Sequence, residues 1–467
     1  MPQLAARARQ GLLRLLNALD QAGALRFPEP AVRVPDAHLQ SLRTFGILRG
    51  HMQTKTFVQS LALAAALVAG LNAAAAETNS WKFSFGGSKP AARYQPVGPT
   101  NLYSPEAGFG FEPGAAVAAR GPGCTSDRPF YFSVALPEGN YQVTVKFGGD
   151  EQGSTNTVKS ELRRLMLEKI ATAPGKFETR TFTVNVRRPR ISDHDAVHLK
   201  PREKTSEIWA WDEKLTLEFN GTQPSLCTLE IEQADSLPTV YLLGDSTVCD
   251  QPKEPWNSWG QMLPRFFSPG VAIANHAESG ESLRSSLGAK RVEKVFSLLK
   301  PGDYVFVQFG HNDMKERGPD ALPGYKSNLK KFVADTKSKG GIPVLVTSME
   351  RKSGVAHDTL DGYPAAVREV AKEEAVPLID LHAMSRTLYN ALGQQLDQAF
   401  QDGTHHNNYG SYELAKCVIE GIKANQLGLA KFIAEDFKGF DPSHPDSVET
   451  FEMPLSPGPV GARPLGD

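Results

Sequence analysis

Cysteine is scarce, with four in 467 residues, and Cys124, Cys227, Cys249 and Cys417 show no paired C-x-x-C spacing. That excludes a zinc ribbon or finger and a disulfide scaffold. The pairs 124 with 227 and 249 with 417 are the simplest disulfide arrangement, and buried free thiols are an equal alternative. An excess of one charge sign is also missing, since the formal net charge is −1. The first 51 residues carry seven Arg against three acids and Lys55 adds one more cation, so subtraction leaves about −6 for residues 77 to 467. A general nucleic-acid binder would need a basic face to displace counterions from phosphates, so nucleic acid is excluded as a partner. After residue 76 no apolar run is long enough to span a bilayer. There is no internal repeat, which sets aside repeat architectures.

What is present is ordinary globular composition, 40% hydrophobic and 22% charged, in a chain longer than one core usually organises. Two folded domains are expected. Met52-Gln-Thr-Lys55 gives a short basic start, Leu61 to Ala69 an apolar run, and Ala74-Ala75-Ala76 a small-residue cleavage site. Residues 52–76 therefore read as a signal peptide. Export follows, to the periplasm or the extracellular medium, with no membrane attachment after cleavage. Residues 1–51 read as an upstream leader or a mis-assigned start, with Met52 the true beginning.

Residues 77–236 contain short runs of alternating polarity between Gly, Pro and Asn: Tyr131 to Ala135, Tyr141 to Phe147, Thr179 to Val186, Leu215 to Phe219 and Cys227 to Ile231. Period two means half-buried antiparallel strands, and the spacing suggests an all-β sandwich. The stretch Lys159 to Thr172 has mixed helical character and reads as an insertion. Over residues 237–438 the pattern becomes strand then helix, with strands at Tyr241 to Leu243, Val271 to Ala274, Tyr304 to Gln308, Pro343 to Thr347 and Pro377 to Asp380. This predicts a three-layer α/β/α domain on a five-stranded parallel sheet, with functional residues at the carboxyl ends of the strands. Residues 439–467 read as an irregular Pro-rich tail.

The first parallel strand runs into Gly244-Asp245-Ser246-Thr247, which sets a serine hydroxyl at a sharp strand-to-helix turn where its own N–H is free for an oxyanion. Alone, the tripeptide equally describes a turn with an N-cap serine. Asp402-Gly-Thr-His405, at the far end of the domain, places a carboxylate and an imidazole within one turn. The carboxylate can hold the tautomer that leaves the other ring nitrogen ready for a serine proton. Gly280, after the second strand, and Asn312, after the third, stand at the same edge. The Gly280 N–H and the Asn312 amide can complete an oxyanion hole, although glycine and asparagine also simply make turns.

Ser, Gly, Asn and Asp-x-x-His, in this order and at successive strand ends, resemble the blocks of the SGNH (GDSL) hydrolase superfamily over about 200 residues. Finer resemblance is to the rhamnogalacturonan acetylesterase group, carbohydrate esterase family 12, through Gly244-Asp-Ser-Thr-Val248, Gly310-His-Asn-Asp313, Tyr363-Pro-Ala-Ala-Val367, Val376-Pro-Leu-Ile-Asp-Leu381 and Asp402-Gly-Thr-His-His-Asn407. Bacterial members similarly place a galactose-binding-like sandwich ahead of the esterase. The resemblance implies Ser246 as nucleophile, His405 as general base and then acid, Asp402 as its orienting partner, and Ser246 N–H, Gly280 N–H and Asn312 as oxyanion donors. It implies an acetyl-serine intermediate, no cofactor, and acetylated plant cell-wall polysaccharide or oligosaccharide as the partner. One departure concerns Met349-Glu-Arg-Lys352, which lacks the paired arginines expected after the fourth strand.

Other residues near the blocks have structural readings. His406 is one position out of spacing, His311 is expected to pack beside Asn312, His276 and Glu278 to scaffold a turn, and Asp245 to fix the nucleophile turn. No His, Cys or carboxylate cluster has metal-ligand spacing, so no catalytic metal is expected. Rival readings are acetylxylan esterase, lysophospholipase or thioesterase activity on the same fold, and a carbohydrate-binding protein without catalysis. Trp81, Trp209 and Trp211 are candidates for sugar stacking, with core packing the alternative.

Overall fold

Alternation of period two carries directly into the strand Gly139–Gly149, where Tyr141, Val143, Val145 and Phe147 are all fully buried. The structure, a computed structural model, describes residues 79–86 and 92–458. The readings for residues 1–51, for the signal peptide at 52–76 and for the end of the tail lie outside the described residues. Gly139–Gly149 sits in a five-stranded sheet ordered Lys176–Val186, Gly139–Gly149, Thr228–Gln233, Ser80–Phe85 and Gln95–Val97. A second five-stranded sheet runs Phe109–Phe111, Phe130–Ala135, Lys214–Asn220, Ser154–Ser160 and Arg164–Thr172. Leu215, Leu217 and Phe219 of the second sheet share one core with Val143, Val145 and Phe147 of the first, which makes a β-sandwich. Phe111 and Phe132 meet edge to face at 5.3 Å inside it.

The reading of Lys159 to Thr172 as partly helical is corrected. Ser154–Ser160 and Arg164–Thr172 form an antiparallel hairpin, and its tip takes positive φ at Glu161 (52°) and Arg163 (65°). Leu, Met, Glu and Lys favour a helix locally, but tertiary partners for the charged side chains at the tip override that weak preference.

From Thr239 the strands become parallel, ordered Ala272–Asn275, Thr239–Gly244, Tyr304–Gln308, Ile342–Val346 and Leu378–Ile379. Both faces are covered. Val240 and Leu242 pack into one core, together with Leu414 and Val418 of the helix Asn408–Ala424, while Tyr241 and Leu243 pack into another, with Phe332 and Val333 of Ala321–Ser338. The first strand lies between the second and the third, so the chain reverses its winding direction there. Such a switch point opens a crevice at the carboxyl ends of these strands. Residues 439–458 contain one short helical turn, Val448–Thr450, and otherwise run irregularly. Phe440, Phe451 and Met453 nevertheless pack against the core. No helix among the described residues is long and apolar enough to cross a membrane.

The described residues lie in one compact unit, and the sandwich meets the α/β layers through buried ion pairs. Arg291 donates to both carboxylate oxygens of Glu203, at 3.0 and 2.6 Å, and each side chain is 1% exposed. Burial alone would raise the Glu203 carboxyl, but the Arg291 guanidinium brings it below its ordinary value. Arg291→Met would leave that carboxylate buried without its counter-charge, and is expected to lower the free energy of unfolding by about 3–5 kcal/mol. Urea titration checks this. All four cysteines are free and buried, so neither proposed disulfide is formed.

Candidate active site

The turn that carries Ser246 is built by Asp245, which is fully buried. Its Oδ1 accepts the backbone N–H and the hydroxyl of Thr247 at 2.9 and 2.8 Å, while His311 Nδ1 lies 3.4 Å from the other oxygen. Burial opposes the charge, but His311 and the Thr247 bonds hold the Asp245 carboxyl below its ordinary value. Gln308 donates to Thr247 Oγ1 at 2.8 Å and is itself held by Trp259 Nε1 at 2.9 Å. A β-carbon at Gly260 would sit 2.2 Å from the Val248 carbonyl oxygen. Glycine there lets the next helix close onto the turn.

Ser246, Asp402 and His405 come from opposite ends of the α/β part and form one chain of hydrogen bonds. His405 Nε2 is 2.9 Å from Ser246 Oγ, and Nδ1 is 2.9 Å from Asp402 Oδ2. Asp402 Oδ1 accepts the N–H groups of Thr404 and His405, each at 2.7 Å. A carboxylate facing Nδ1 keeps the proton there, so Nε2 presents a lone pair to the serine. Burial pushes the Asp402 carboxyl up, but the bonds from the His405 ring and from the backbone N–H groups outweigh it and hold the carboxyl well below the usual range. The helix that follows begins at Asn407, whose side chain caps the Gly410 N–H at 3.0 Å.

Gly280 and Asn312 do not bond directly to this chain. Gly280 has a φ of 75°, which glycine adopts without strain. Its turn is tied to the strand Thr239–Gly244 by the Glu278 N–H on the Gly244 carbonyl at 3.1 Å. Gln251 bridges the same two regions, donating to the Ser246 carbonyl at 2.6 Å and approaching Ser279 Oγ at 3.4 Å. Asn312 Nδ2 donates one hydrogen to the Glu281 carbonyl at 3.0 Å, while Lys315 donates to its Oδ1 at 2.8 Å. The second amide hydrogen of Asn312 is then available, and its direction is fixed from both sides.

A model of the GDSL-like lipase/acylhydrolase family matches residues 242–411, the stretch that carries every residue just described. The rhamnogalacturonan acetylesterase RhgT of Bacillus subtilis (strain 168) is 37% identical over 212 residues, covering 41% of this chain and 90% of that protein. The chain belongs to the GDSL-like lipase/acylhydrolase family. It is a serine esterase of that family. The uncharacterized esterase YxiM of the same strain is 28% identical over 396 residues, 77% of this chain and 94% of that protein. The crystal structure of YxiM covers 75% of this chain and 100% of its own at 23% identity, with a TM-score of 0.42.

The neighbouring histidines of this esterase have other tasks. His406 turns into the core, where Nε2 is 2.8 Å from Tyr389 Oη and the ring lies 4.1 Å from that of Phe400. Burial first, and then the adjacent His405, push its imidazole down to about 3. His311 bridges Asp245 and the Met349 carbonyl, the latter at 3.0 Å. His276 is buried beside Trp211, and burial together with Arg187, Lys294 and Arg291 pushes its imidazole well below the ordinary value. Glu278 pairs with Arg202. Trp211, one of the candidate stacking residues, is 6% exposed and donates to Glu203 at 2.8 Å.

Sequence reasoning missed Gln251, Trp256 and Lys315, whose partners lie on other elements and leave no spacing signal. It also missed the group Glu350, Asp358 and His382, whose ligand-type atoms lie within 4.8 Å of one another. Arg368 Nη2 stands 3.1 Å from His382 Nδ1, and a guanidinium can only donate. Nδ1 therefore accepts, and Nε2 carries the hydrogen that it gives to Glu350 at 3.2 Å. Glu350 also accepts from the Arg351 N–H at 2.7 Å and the Thr359 N–H at 3.1 Å. These atoms are committed to bracing the loop after the fourth strand, an arrangement that does not suit a cation. Arg351, in the departing segment, is turned to the Thr359 carbonyl at 2.8 Å.

Proposed function

We propose that the enzyme, once exported, removes O-acetyl groups from rhamnogalacturonan through an acetyl-serine intermediate. The observation that carries the chemistry is the unbroken chain from Asp402 through His405 to Ser246, with both links at 2.9 Å. Ser246 Oγ attacks the acetyl carbonyl while its proton passes to His405 Nε2. The tetrahedral oxyanion is met by the N–H groups of Ser246 and Gly280 and by Asn312 Nδ2. Collapse breaks the bond to the sugar oxygen, which leaves with the proton from His405. Water then attacks the acetyl-serine with His405 again as base, releasing acetate and restoring the serine.

The pectic substrate is supported by the named activity of the RhgT relative. Acetate release from acetylated rhamnogalacturonan and from acetylated xylan, measured side by side with Ser246→Ala as control, tests it. Preference for the pectic polymer is expected. Preference for xylan would keep the mechanism and replace the substrate, and activity that rises with acyl length beyond acetyl would point to lipid or thioester chemistry.

Asn312→Ala is expected to lower kcat by roughly 10²- to 10³-fold, the usual consequence of deleting one oxyanion donor. The readout is kcat on 4-nitrophenyl acetate. An unchanged kcat would remove Asn312 from the oxyanion hole.

A further inference from the structure

The sandwich hairpin reaches segment 251–256 through the Arg163 guanidinium and through Lys159, whose ammonium is 3.4 Å from Glu254. Arg163, at the tip beyond Ser154–Ser160, has a side chain only 6% exposed. Its Nη1 donates to two backbone carbonyls, Gln251 at 2.9 Å and Trp256 at 3.0 Å. Its Nη2 lies 2.6 Å from Glu254 Oε2. One side chain thus clasps both ends and the middle of segment 251–256. Around it, Asn408 donates to Glu254 at 3.0 Å, and Gln261 donates to the Leu162 carbonyl at 2.5 Å.

Both ends of the clasped segment touch the catalytic chain. Gln251 donates to the Ser246 carbonyl at 2.6 Å. The Trp256 ring stands against the His405 imidazole, with centroids 5.7 Å apart and planes at 77°. Asn257 N–H then binds the His406 carbonyl at 3.0 Å. The Trp256 indole N–H is buried without a hydrogen-bond partner among the described residues. An unpaired buried donor is unfavourable, so a phenylalanine would fill the space without that penalty.

We propose that Arg163 is a positioning residue for acyl transfer: it holds segment 251–256 so that Trp256 keeps His405 against Ser246. The β-sandwich is then part of the catalytic centre and not only a neighbour of it. This rests on the catalytic reading of Ser246 and His405. Arginine is required because its planar fork serves two carbonyls and a carboxylate together, and lysine has no such fork. A misplacement of about 1 Å from outside the reacting groups can lower a rate by up to 10²-fold.

The test is a double-mutant cycle in the full chain, with kcat and KM for 4-nitrophenyl acetate. Arg163→Lys keeps a charge opposite Glu254 but loses the fork, and is expected to lower kcat about tenfold with KM changed less than about twofold. Trp256→Ala should lower kcat similarly, and Trp256→Phe should restore most of it. If Arg163 acts through Trp256, Arg163→Lys/Trp256→Ala loses no more than the worse single variant, whereas independent effects would multiply. Multiplied losses, or a wild-type kcat in Arg163→Lys, would overturn the proposal. Should Arg163→Lys fail to fold, the Trp256 pair decides, and wild-type kcat in Trp256→Ala overturns it. Ser246→Ala, run alongside, separates the two readings: activity there sinks the catalytic reading, while inactivity beside multiplied losses sinks only Arg163.

Discussion

Ser246→Ala is expected to lower kcat on an acetyl ester by about 10⁶-fold, as removal of the nucleophile does in other serine hydrolases. The size of the loss follows from what remains. Alanine leaves the Asp402 to His405 bond and the oxyanion donors in place but removes the atom that forms the covalent intermediate. Water in its place would recover only the part of the acceleration that belongs to binding and to the oxyanion hole. Ser246 is 2% exposed, and its Oγ makes one described hydrogen bond, to His405, so the fold should survive. Initial rates with 4-nitrophenyl acetate, together with an unchanged circular dichroism spectrum, check the prediction. A loss below about tenfold would place the nucleophile elsewhere.

Asp402→Asn is expected to lower kcat by about 10⁴-fold with little change in stability. The reason lies in the two oxygens of the carboxylate. Oδ1 accepts the N–H groups of Thr404 and His405 at 2.7 Å, so in the variant the amide oxygen must take that side. The amide nitrogen then faces His405 Nδ1, 2.9 Å away in the parent enzyme, and donates to it. The imidazole proton is driven to Nε2, the nitrogen that must accept from Ser246. The geometry is kept and the tautomer is wrong. Steady-state rates show the loss, and imidazole nitrogen shifts in NMR show which ring nitrogen is protonated. A variant that keeps more than about a tenth of the rate would mean that Asp402 does not set the tautomer.

The strands of both halves were legible because burial on one face or two leaves a repeating mark. Tyr141 to Phe147 alternates, and Tyr304 to Val307 is apolar throughout, since helices cover both faces of the parallel sheet. Ser246, Gly280, Asn312 and the Asp402 to His405 pair were legible because each follows a strand end or opens a helix, where chemistry and turn signals coincide. The hairpin of Ser154–Ser160 and Arg164–Thr172 was misread as partly helical. Its charged tip pairs with Asp250 and Glu254, about 90 residues further along the chain, and local propensity does not see such partners. Arg163, Gln251 and Trp256 were hidden for the same reason. The resting state of the cysteines could not be read either, since four buried thiols and two bridges share one sequence. Burial raises Cys124 and Cys417 well above the ordinary thiol value, which keeps them unreactive.

If acyl transfer passes through Ser246, the acetyl-serine intermediate can be trapped. The enzyme would be mixed with excess 4-nitrophenyl acetate, quenched in acid during turnover, digested and mapped by mass spectrometry. One acetyl group is expected on the peptide containing Ser246, lost once substrate is exhausted and never formed in Ser246→Ala. Turnover with no acetylated peptide, or an acetyl group on another residue that disappears at the rate of turnover, would contradict it.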